Sequence, residues 1–372
     1  MRAKIHKTLL AAVLGGLISL PAWAQIKIGQ TAGITGPAAV GVKEITEGAR
    51  LYLDAVNAQG GVGGQKIELI SLDDKFDPKL SAVNGKQLID QGVLALFLSR
   101  GTPHSQALLP LLAEHKLALV APSTGAMLLH RPVNPHVFNV RATYQREAER
   151  AVMHLAGMGV TRIGLVQVDD SFGDDGAAGA LRGLELAKLK PVAHLKYPRA
   201  TPNTAPLMKQ MAQADVQALV FVGSADTVAE SVEFLRAAGS NAQLVTLSNN
   251  ASSGFIKLLK GQARGVIVSQ VFPSERSMNL ALVREAQGLA KARQMELTPA
   301  GLEGFTAAKV LVEGLKRAAK DKDLSRAGLL RALDSMSKFD LGGLELNFSS
   351  SDHTGLDYAD VSIIGPDGKF WR

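Results

Sequence analysis

Residues 96–126 of the chain read LFLSRGTPHSQALLPLLAEHKLALVAPSTGA, and this stretch decides the fold. Two short apolar runs, at 96–99 and 117–121, flank an amphipathic segment that has the period of a helix. The GTP triplet at 101–103 breaks the chain after the first run, and PSTG at 122–125 breaks it after the second. The order strand, turn, helix, strand, turn predicts a unit of a parallel α/β sheet.

Both predicted strands end in loops with small, hydroxyl-bearing residues. In an open parallel sheet, ligands bind just outside the carboxyl ends of the strands, where loop amides and helix N-termini favour anionic groups. Thr102, Ser123 and Thr124 could donate hydrogen bonds to a carboxylate there. The alternative is that these side chains cap helices or stabilise turns, which Ser and Thr commonly do.

The first residues of the chain are typical of an export signal. A short basic segment precedes an apolar run at 9–20 that is too short to span a bilayer, and AWA at 22–24 has the small-x-small pattern of a cleavage site. We therefore expect a signal peptide at 1–24 that is cleaved after Ala24. The chain has no cysteine, so the acylated Cys of a lipoprotein is missing at the cleavage point.

Composition and length exclude several classes of protein. Hydrophobic residues make up 46% of the chain and charged residues 20%, a balance typical of a globular protein. The formal net charge is +7, it is spread along the chain, and no basic tract with interleaved aromatic residues occurs, so we expect no nucleic-acid partner. At 372 residues, two domains are the default expectation.

The chain alternates strands and helices in two successive blocks. The predicted strands of the two blocks lie at 26–30, 66–72, 93–99, 162–168, 191–195, 218–222 and 243–247. Short connections between such elements imply parallel sheets with right-handed crossovers. A C-terminal hairpin around the PDG turn at 366–368 indicates that the chain returns to a lobe and that several segments cross between lobes. The sequence therefore predicts an α/β fold with two doubly wound lobes.

Catalytic and metal-binding signatures are missing from the sequence. Neither G-x-S-x-G nor G-x-x-x-x-G-K-[ST] occurs, and the glycine-rich segment at 60–64 lacks the dinucleotide-binding spacing and precedes a strand. The histidines are scattered, so we predict no catalytic residue, metal site or cofactor. The acidic pairs at 73–74, 169–170 and 174–175 could serve a metal or acid-base site, or could cap helices and face solvent.

Several segments, in order along the chain, resemble the periplasmic binding proteins for leucine, isoleucine, valine and related compounds. These segments are IKIGQTAGITGPAAVG at 26–41, EGARLYLDAVNAQGGVGGQKIELISLDDKFDP at 47–78, GTP–Q–LLP at 101–110, APSTGA at 121–126, HVFNVRATY at 136–144 and LEG–AAKVLVEGLKRA at 302–318. The resemblance implies the type I fold of that family, two Rossmann-like lobes joined by a multi-strand hinge, with a ligand cleft that closes on binding. It places crossovers near Arg141, Phe272 and Ser350.

These crossovers divide the mature chain into two lobes. Lobe one takes 25–141 and 272–350, and lobe two takes 142–271 and 351–372. Because the family delivers its ligand to an ABC permease at the inner membrane, the resemblance implies a non-enzymatic solute receptor in the periplasm, and we expect it to be a monomer. The alternatives are a sensor of the same fold that signals to a membrane partner, and an exported enzyme on an α/β scaffold.

The resemblance also implies a set of ligand-binding residues. In the family, lobe one holds the carboxylate of the ligand through a hydroxyl and a loop, and an aromatic residue of lobe two covers the ligand. The positions implied in both lobes are Thr102, Ser123, Thr124, Gly125, Phe172, Ser224, Asn249 and Gln270. The expected ligand is a small carboxylate, either a branched-chain amino acid or a related organic or aromatic acid.

One position departs from the pattern of the amino-acid binders. Those proteins pair the ammonium group of the ligand with an acidic side chain near a lobe-two loop, where this chain has Asn249 and Asn250. Burying an ammonium group without a countercharge costs free energy. The resulting hypothesis is a carboxylate ligand without an amine, unless Asp170 or Glu303 supplies the charge from elsewhere.

Overall fold

The structure is a computed structural model that describes residues 25–372. The predicted signal peptide at 1–24 and its cleavage site lie outside the described residues. Strands and helices alternate along the described chain and form two large sheets with helices between their strands, so the predicted α/β fold is confirmed. In residues 25–372, no helix is long and apolar enough to cross a membrane.

The first sheet has five parallel strands in the spatial order β2-β1-β3-β4-β5. These strands are β1 (Ile26–Ala32), β2 (Ile67–Asp73), β3 (Ala95–Phe97), β4 (Ala118–Val120) and β5 (Val137–Phe138). Every residue of β3, β4 and β5 is buried. Such continuous apolar strands are typical of a parallel sheet that is covered on both faces.

The second sheet has seven strands in the order β7-β6-β8-β9-β10-β13-β14, and a separate hairpin pairs β11 with β12. These strands are β6 (Ile163–Val168), β7 (His194–Tyr197), β8 (Ala218–Val222), β9 (Gln243–Thr246), β10 (Ile267–Gln270), β11 (Phe339–Asp340), β12 (Glu345–Leu346), β13 (Asp360–Ile364) and β14 (Phe370–Trp371). Strand β13 runs antiparallel to both β10 and β14, which confirms the predicted C-terminal hairpin. Trp371 is exposed on the edge strand β14.

Helices connect the strands of both sheets. They are α1 (Ala39–Ala58), α2 (Pro78–Asp90), α3 (Thr102–His115), α4 (Tyr144–Gly157), α5 (Ser171–Leu186), α6 (Ala205–Gln213), α7 (Ala225–Ala237), α8 (Ser253–Leu258), α9 (Ala281–Ala292), α10 (Pro299–Lys320) and α11 (Arg326–Asp334). The sequence has the period of a helix at 44–57 and at 106–115. Helices α1 and α3 begin before these segments, at Ala39 and Thr102. Small loop residues and a proline are compatible with a first helical turn, and their inclusion brings both helix N-termini to the carboxyl edge of the first sheet.

The two sheets repeat one topology. The order β2-β1-β3-β4-β5 in the first sheet corresponds to β7-β6-β8-β9-β10 in the second, and β13 and β14 extend the second sheet. In each sheet, the second strand along the chain lies on one side of the first strand, and the later strands lie on its other side. Such a reversal opens a crevice at the carboxyl edge, where open α/β sheets bind ligands.

The chain passes between the two sheets three times. It leaves the first sheet after β5, leaves the second after β10, and returns to the second at β13. Two large hydrophobic cores accompany this path, one under each sheet, and helices α9, α10 and α11 belong to the first core. The lobe boundaries implied by the resemblance, near 141, 272 and 350, remain a prediction.

Helices α1 and α10 make the closest helix contact of the first core. A Cβ atom added to Gly304 would lie 1.8 Å from the Ile45 carbonyl oxygen, and one added to Gly48 would lie 1.9 Å from the Gly301 carbonyl oxygen. Only glycine permits backbones to approach so closely. This contact fixes the axis of α1, and its N-terminus is therefore held firmly beside the crevice.

Candidate functional site

The candidate site is a cavity between the carboxyl edges of the two sheets. It contains about 420 Å³ of atom-free space, which includes solvent at its opening. Every residue of its lining follows the carboxyl end of a strand. The lining residues are Ala38, Gly41, Phe76, Arg100 and Gly101 after β1, β2 and β3, and Tyr144, Phe172, Arg199, Ser224, Ala225, Asn249 and Asn250 after β5, β6, β7, β8 and β9. Because the topology is repeated, the carboxyl edges of both sheets face the same cavity.

Five helices begin at this cavity. The first turns of α1, α4, α5 and α7 and the residue that precedes α3 belong to the lining. The free N–H groups of a first turn and the helix dipole create a partial positive charge. At α5 the Asp170 side chain offsets this charge, because it accepts hydrogen bonds from the N–H groups of Phe172 and Gly173. Helices α1 and α3 have no acidic residue in their first turns, so their N-termini are favourable for an anion.

Arg100 faces the cavity without a carboxylate partner. It is only 6% exposed. Its Nη1 donates to Ser123 Oγ at 2.7 Å, and its Nη2 donates to the carbonyl oxygen of Asn249 at 2.5 Å. Both acceptors are neutral, and in residues 25–372 no carboxylate oxygen lies within the 4.0 Å ion-pair distance of this side chain. Burial lowers the pKa of Arg100, which is the expected behaviour of a cation removed from water without full compensation.

Arg141, which is also buried, has carboxylate partners. Its Nη2 donates to the Glu147 carboxylate and to Ser248 Oγ, the latter at 2.6 Å, and its Nη1 lies 3.7 Å from Glu303 Oε1. Burial acts to lower the pKa of Arg141, but the two carboxylates outweigh it and raise this pKa. Arg141 therefore stabilises the segment between the sheets, whereas Arg100 remains available to a ligand.

A cation and an aromatic ring from the two halves meet at the cavity. The guanidinium carbon of Arg199 lies 5.0 Å from the centroid of the Phe76 ring, and this ring also stacks on His104 with centroids 4.3 Å apart. Burial lowers the pKa of His104 to about 4, so this imidazole is neutral at neutral pH. Arg199 Nε pairs with Asp170 Oδ2 at 2.5 Å, so the charge of Arg199 is balanced and that of Arg100 is not.

The acidic pair after β2 shapes the loop that carries Phe76. Phe76 has a φ of 59°, in the left-handed region that L-residues rarely adopt. Asp74 is fully buried, and its Oδ1 accepts the Phe76 N–H at 2.9 Å. Its Oδ2 accepts the hydroxyl groups of Thr31 and Ser81 at 3.2 and 2.8 Å. Asp74 therefore holds the turn that presents an aromatic ring to the cavity, a role that the sequence pattern did not indicate.

Three residues implied by the family resemblance line the cavity. Phe172 packs against Tyr144 with ring centroids 4.9 Å apart. Ser224 precedes α7, and Asn249 lies in a 3-10 turn after β9. Asn249 Nδ2 donates to the Gly223 carbonyl oxygen at 2.9 Å, while Asn249 Oδ1 is buried and has no hydrogen-bond partner among the described residues.

Thr102, Thr124 and Ser123 lie behind the wall of the cavity. Thr102 and Thr124 are fully buried, and their hydroxyl oxygens lie 2.7 Å apart in a mutual hydrogen bond. Thr102 is the first residue of α3, so its side chain packs against the neighbouring loop. Ser123 accepts from Arg100 and donates to Glu303 Oε1 at 2.9 Å. Ser123 is therefore placed to orient Arg100, and direct ligand contact by these hydroxyls remains a prediction.

Gly125 and Gln270 also lie outside the lining. A Cβ atom added to Gly125 would lie 2.6 Å from the Ala142 carbonyl oxygen, and the Gly125 carbonyl oxygen accepts the Tyr144 N–H at 2.8 Å. Glycine at this position lets the first crossing segment pass close to the loop after β4. Gln270 Nε2 donates to Ser362 Oγ at 2.7 Å, between two strands of the second sheet.

Sequence reasoning did not select Arg100, Tyr144, Phe76 or Arg199. A signal for Arg100 was present, since a cation directly after a buried strand cannot turn into the core and lies at the ligand-binding edge of the sheet. Phe76 and Arg199 gave no comparable signal. The position of Phe76 depends on a left-handed turn, and the position of Arg199 depends on how the two halves meet.

Both acids considered from the sequence as partners for a ligand amine are engaged elsewhere. Asp170 pairs with Arg199 and caps α5. Glu303 accepts from Ser123 and lies 3.7 Å from Arg141. Neither acid belongs to the lining, which contains no Asp or Glu. The charged side chains of the lining itself, Arg100 and Arg199, are therefore both positive.

Direct contacts join the two halves around the cavity. Glu44 of α1 accepts the N–H groups of Ser253 and Gly254 at the start of α8, at 3.0 and 2.7 Å. Ser171 Oγ of α5 donates to Gln106 Oε1 of α3 at 3.3 Å. Together with the bond from Arg100 to Asn249, these contacts describe a closed arrangement of the two halves.

The lining residues are suited to binding a ligand without a chemical reaction. Residues 25–372 contain no group of three or more His, Cys, Asp or Glu side chains that could hold a metal ion. The Ser224 hydroxyl bonds to the Thr227 hydroxyl at 3.0 Å, and among residues 25–372 it has no hydrogen bond to a His, Asp or Glu side chain that could act as a base. A guanidinium group, helix N–H groups and aromatic rings can hold an anion without forming a covalent bond.

Comparison with known proteins agrees with this geometry. The family described as periplasmic binding protein matches residues 25–362. The Leu/Ile/Val-binding protein BraC3 of Rhizobium johnstonii is 23% identical over 323 residues, which cover 85% of this chain and 86% of that protein. A substrate-binding periplasmic protein from Ralstonia solanacearum has a TM-score of 0.85 and 32% identity, covering 93% of this chain and 99% of the other. A branched-chain amino acid ABC transporter structure from Thermus thermophilus with bound valine has a TM-score of 0.81 and 19% identity, covering 94% and 95%. The chain therefore belongs to the periplasmic binding protein family, in the type I group that includes the Leu/Ile/Val-binding proteins.

Proposed function

We propose that the protein captures a small carboxylate-bearing solute between its two lobes in the periplasm and delivers it to an ABC permease. The observation that carries the proposal is the guanidinium group of Arg100, which is buried at the cavity and bonded only to neutral acceptors. A buried charge without a partner is costly. A bound carboxylate removes that cost, because it matches the fork of an arginine with two parallel hydrogen bonds.

The two lobes offer complementary contacts to such a ligand. Lobe one supplies Arg100 and the N-terminal end of α3 at Gly101, and lobe two supplies Phe172, Ser224 and Asn249. A ligand that touches both sets binds the closed arrangement better than an open one. Only this difference in affinity shifts the population toward closure. Capture therefore needs no covalent step.

The names of the relatives support a carboxylate ligand. The Rhizobium protein is named for leucine, isoleucine and valine, and the Thermus structure holds valine. All of these solutes carry a carboxylate. For this chain we propose a branched-chain amino acid or a related organic or aromatic acid, and Arg100 is the group that selects for the shared carboxylate.

The proposed delivery step rests on export and on the family. The predicted signal peptide at 1–24 supports a periplasmic location, and the Thermus relative is described as an ABC transporter protein. We propose a monomer that docks on an inner-membrane permease. A receptor of the same fold that signals to a membrane sensor is the alternative, and permease and ATPase genes beside the gene for this chain would favour transport. The lining gives no support to an enzyme.

Calorimetric titration of the mature chain with amino acids, aromatic acids and dicarboxylates tests the proposal. We expect at least one carboxylate to bind the wild-type protein and the Arg182→Met variant, but not the Arg100→Met variant. Arg182 is the matched control because its side chain is 68% exposed on α5. If no carboxylate binds, or if Arg100→Met binds equally well, the proposal is wrong. Chemical turnover of a bound compound would support the enzyme alternative.

A further inference from the structure

Asn249 provides a second polar anchor at the cavity. Its Nδ2 donates to the Gly223 carbonyl oxygen at 2.9 Å and to Asn250 Oδ1 at 3.1 Å. Two acceptors on one side of the amide identify the nitrogen, so the oxygen is the atom that remains free. Asn249 Oδ1 is buried and has no partner among the described residues. A buried acceptor without a donor costs free energy that a ligand donor can restore.

The surroundings of this acceptor are neutral or positive. The lining contains no Asp or Glu, and Asp170 is occupied by Arg199. The backbone carbonyl of Asn249 itself accepts a hydrogen bond from Arg100 at 2.5 Å. An ammonium group bound to Asn249 Oδ1 would therefore be buried beside a cation and without a countercharge, which is unfavourable.

The distance between the two anchors constrains the ligand. Arg100 bonds to the carbonyl oxygen of Asn249, and the free acceptor is the side-chain oxygen of the same residue. The cation and the acceptor are thus held next to each other, at the backbone and the side chain of one residue. The shortest acid that can use both carries its carboxylate and its donor on adjacent carbon atoms.

We infer that the ligand is a 2-hydroxy acid: its carboxylate binds Arg100, its hydroxyl donates to Asn249 Oδ1, and it carries no ammonium group. This inference rests on the proposed function and names the ligand class of the same site. Asn249 is then the residue that determines specificity. A hydroxyl satisfies a neutral acceptor without bringing a charge, whereas an ammonium group would place a second cation near Arg100 in a lining that contains no Asp or Glu.

Three acids that differ only at carbon 2 test the inference. For a leucine-like side chain they are L-leucine, 2-hydroxy-4-methylpentanoate and 4-methylpentanoate, and for an aromatic side chain they are phenylalanine, 3-phenyllactate and 3-phenylpropionate. The calorimetric titration with amino acids, aromatic acids and dicarboxylates shows which of these two ligand side chains to use. In calorimetry on the mature protein, we expect the hydroxy acid to bind at least about tenfold more tightly than both analogues. Equal or tighter binding of the amino acid or of the unsubstituted acid overturns the inference and leaves the proposed function standing. Failure of every carboxylate overturns the proposed function itself.

Substitution of Asn249 tests its role separately. In Asn249→Asp the ratio of amino-acid affinity to hydroxy-acid affinity should rise by at least about tenfold, because a carboxylate now faces the donor. In Asn249→Ala the hydroxy acid and the unsubstituted acid should bind alike, which gives a second readout if the aspartate variant does not fold. The matched control is Asn241→Asp at an exposed position, where the ratio should not change. An unchanged preference in both Asn249 variants overturns the inference.

Discussion

Two buried arginines of this protein differ in the partners of their guanidinium groups. Arg141 is held by two carboxylates, and Arg100 is held by a hydroxyl and a backbone carbonyl. Selection for stability alone would favour a carboxylate beside both guanidinium groups, because an uncompensated buried charge is costly. We therefore propose that a bound ligand supplies the carboxylate partner that Arg100 lacks within the chain.

Replacing each arginine with methionine should separate these roles. In the absence of ligand, we expect Arg100→Met to leave the free energy of unfolding unchanged or to raise it by about 1 kcal/mol, because an unpaired charge is removed. Arg141→Met should lower it by about 3–5 kcal/mol, because the Glu147 carboxylate is then buried without its cation. Urea denaturation of the ligand-free variants measures both values. Equal destabilisation by the two substitutions would contradict this assignment.

Three of the ligand-binding positions that the family resemblance implies, Phe172, Ser224 and Asn249, line the cavity, and their contact with a ligand remains a prediction. Phe76 was not predictable, because its orientation depends on a left-handed backbone held by the buried Asp74. Thr102 was expected in the cavity, but the earlier start of α3 turns its hydroxyl to Thr124. The side-chain direction at a strand end thus depends on where the next helix begins.

At the scale of elements, close backbone contacts fix the loops around the site. The loop after β4 passes the first crossing segment at Gly125, where a Cβ atom would lie 2.6 Å from the Ala142 carbonyl oxygen and 2.7 Å from the Tyr144 nitrogen. Both neighbouring atoms belong to backbone and cannot move independently. The loop that carries Ser123 and the helix that carries Tyr144 are therefore coupled.

Substitution of Gly125 with alanine should destabilise the protein. The added methyl group meets two backbone atoms, and overpacking of this kind costs about 1–3 kcal/mol. Gly157→Ala is the control, because Gly157 ends α4 and a Cβ atom there has no neighbour within 4 Å. We expect the control to be neutral or slightly stabilising. Thermal and urea unfolding of both variants measure the effect, and a neutral Gly125→Ala would show that the loop can move aside.

Asp175 of α5 should give the stability a pH dependence. Its Oδ1 accepts Gln145 Nε2 at 2.9 Å and the Met127 N–H at 3.2 Å, and its Oδ2 is buried without a partner among the described residues. Burial raises the pKa of Asp175 to about 6. The folded state therefore binds this proton more tightly than the unfolded state, and the contribution of Asp175 to stability is lost as pH rises from about 4 to about 6.

The Asp175→Asn variant should remove this contribution. Asparagine keeps the acceptor for Gln145 and Met127 and carries no charge at any pH. We expect the free energy of unfolding of the variant, relative to wild type, to increase by about 2 kcal/mol between pH 4 and pH 7. Denaturation curves at several pH values measure this difference. A constant difference across that range would show that Asp175 titrates normally.

The elements themselves were largely predictable, and their first turns were not. The predicted strand at 218–222 and the C-terminal hairpin are confirmed, because apolar runs between turn residues identify strands. Asp followed by Pro is a typical start of a helix in a sequence, and α2 begins at Pro78 with Asp77 as its cap. The start of α1 at Ala39 was missed, because its first residues have a loop-like composition and become helical through packing at the cleft.

At the scale of the whole molecule, several hydrogen bonds outside the cavity also join the two halves. Two of them run from the start of α8 to the Glu44 carboxylate of α1. Glu44 does not line the cavity, so it can affect closure without touching the ligand. It therefore allows the energy of closure to be changed separately from ligand recognition.

We expect Glu44→Ala to accelerate ligand release. Loss of two hydrogen bonds to a charged acceptor weakens the closed arrangement and should raise the dissociation rate about tenfold, with little change in the association rate. Glu47→Ala is the control on the same helix, because Glu47 makes only an exposed 3.9 Å ion pair with Lys43. Stopped-flow measurement with the ligand found by calorimetry tests this. An unchanged dissociation rate would show that closure does not depend on Glu44.

The position of Trp371 has a consequence for optical measurements. It is the only tryptophan in residues 25–372, and it lies on the exposed edge strand β14, whereas no tryptophan lines the cavity. Intrinsic emission of the mature protein should therefore respond little to ligand, and a small signal would not indicate a failure to bind. The chain is therefore suitable as a fluorescent sensor. Because the emission of Trp371 should stay constant, a change in the Phe76→Trp variant would come from the new side chain as lobe two closes over the solute.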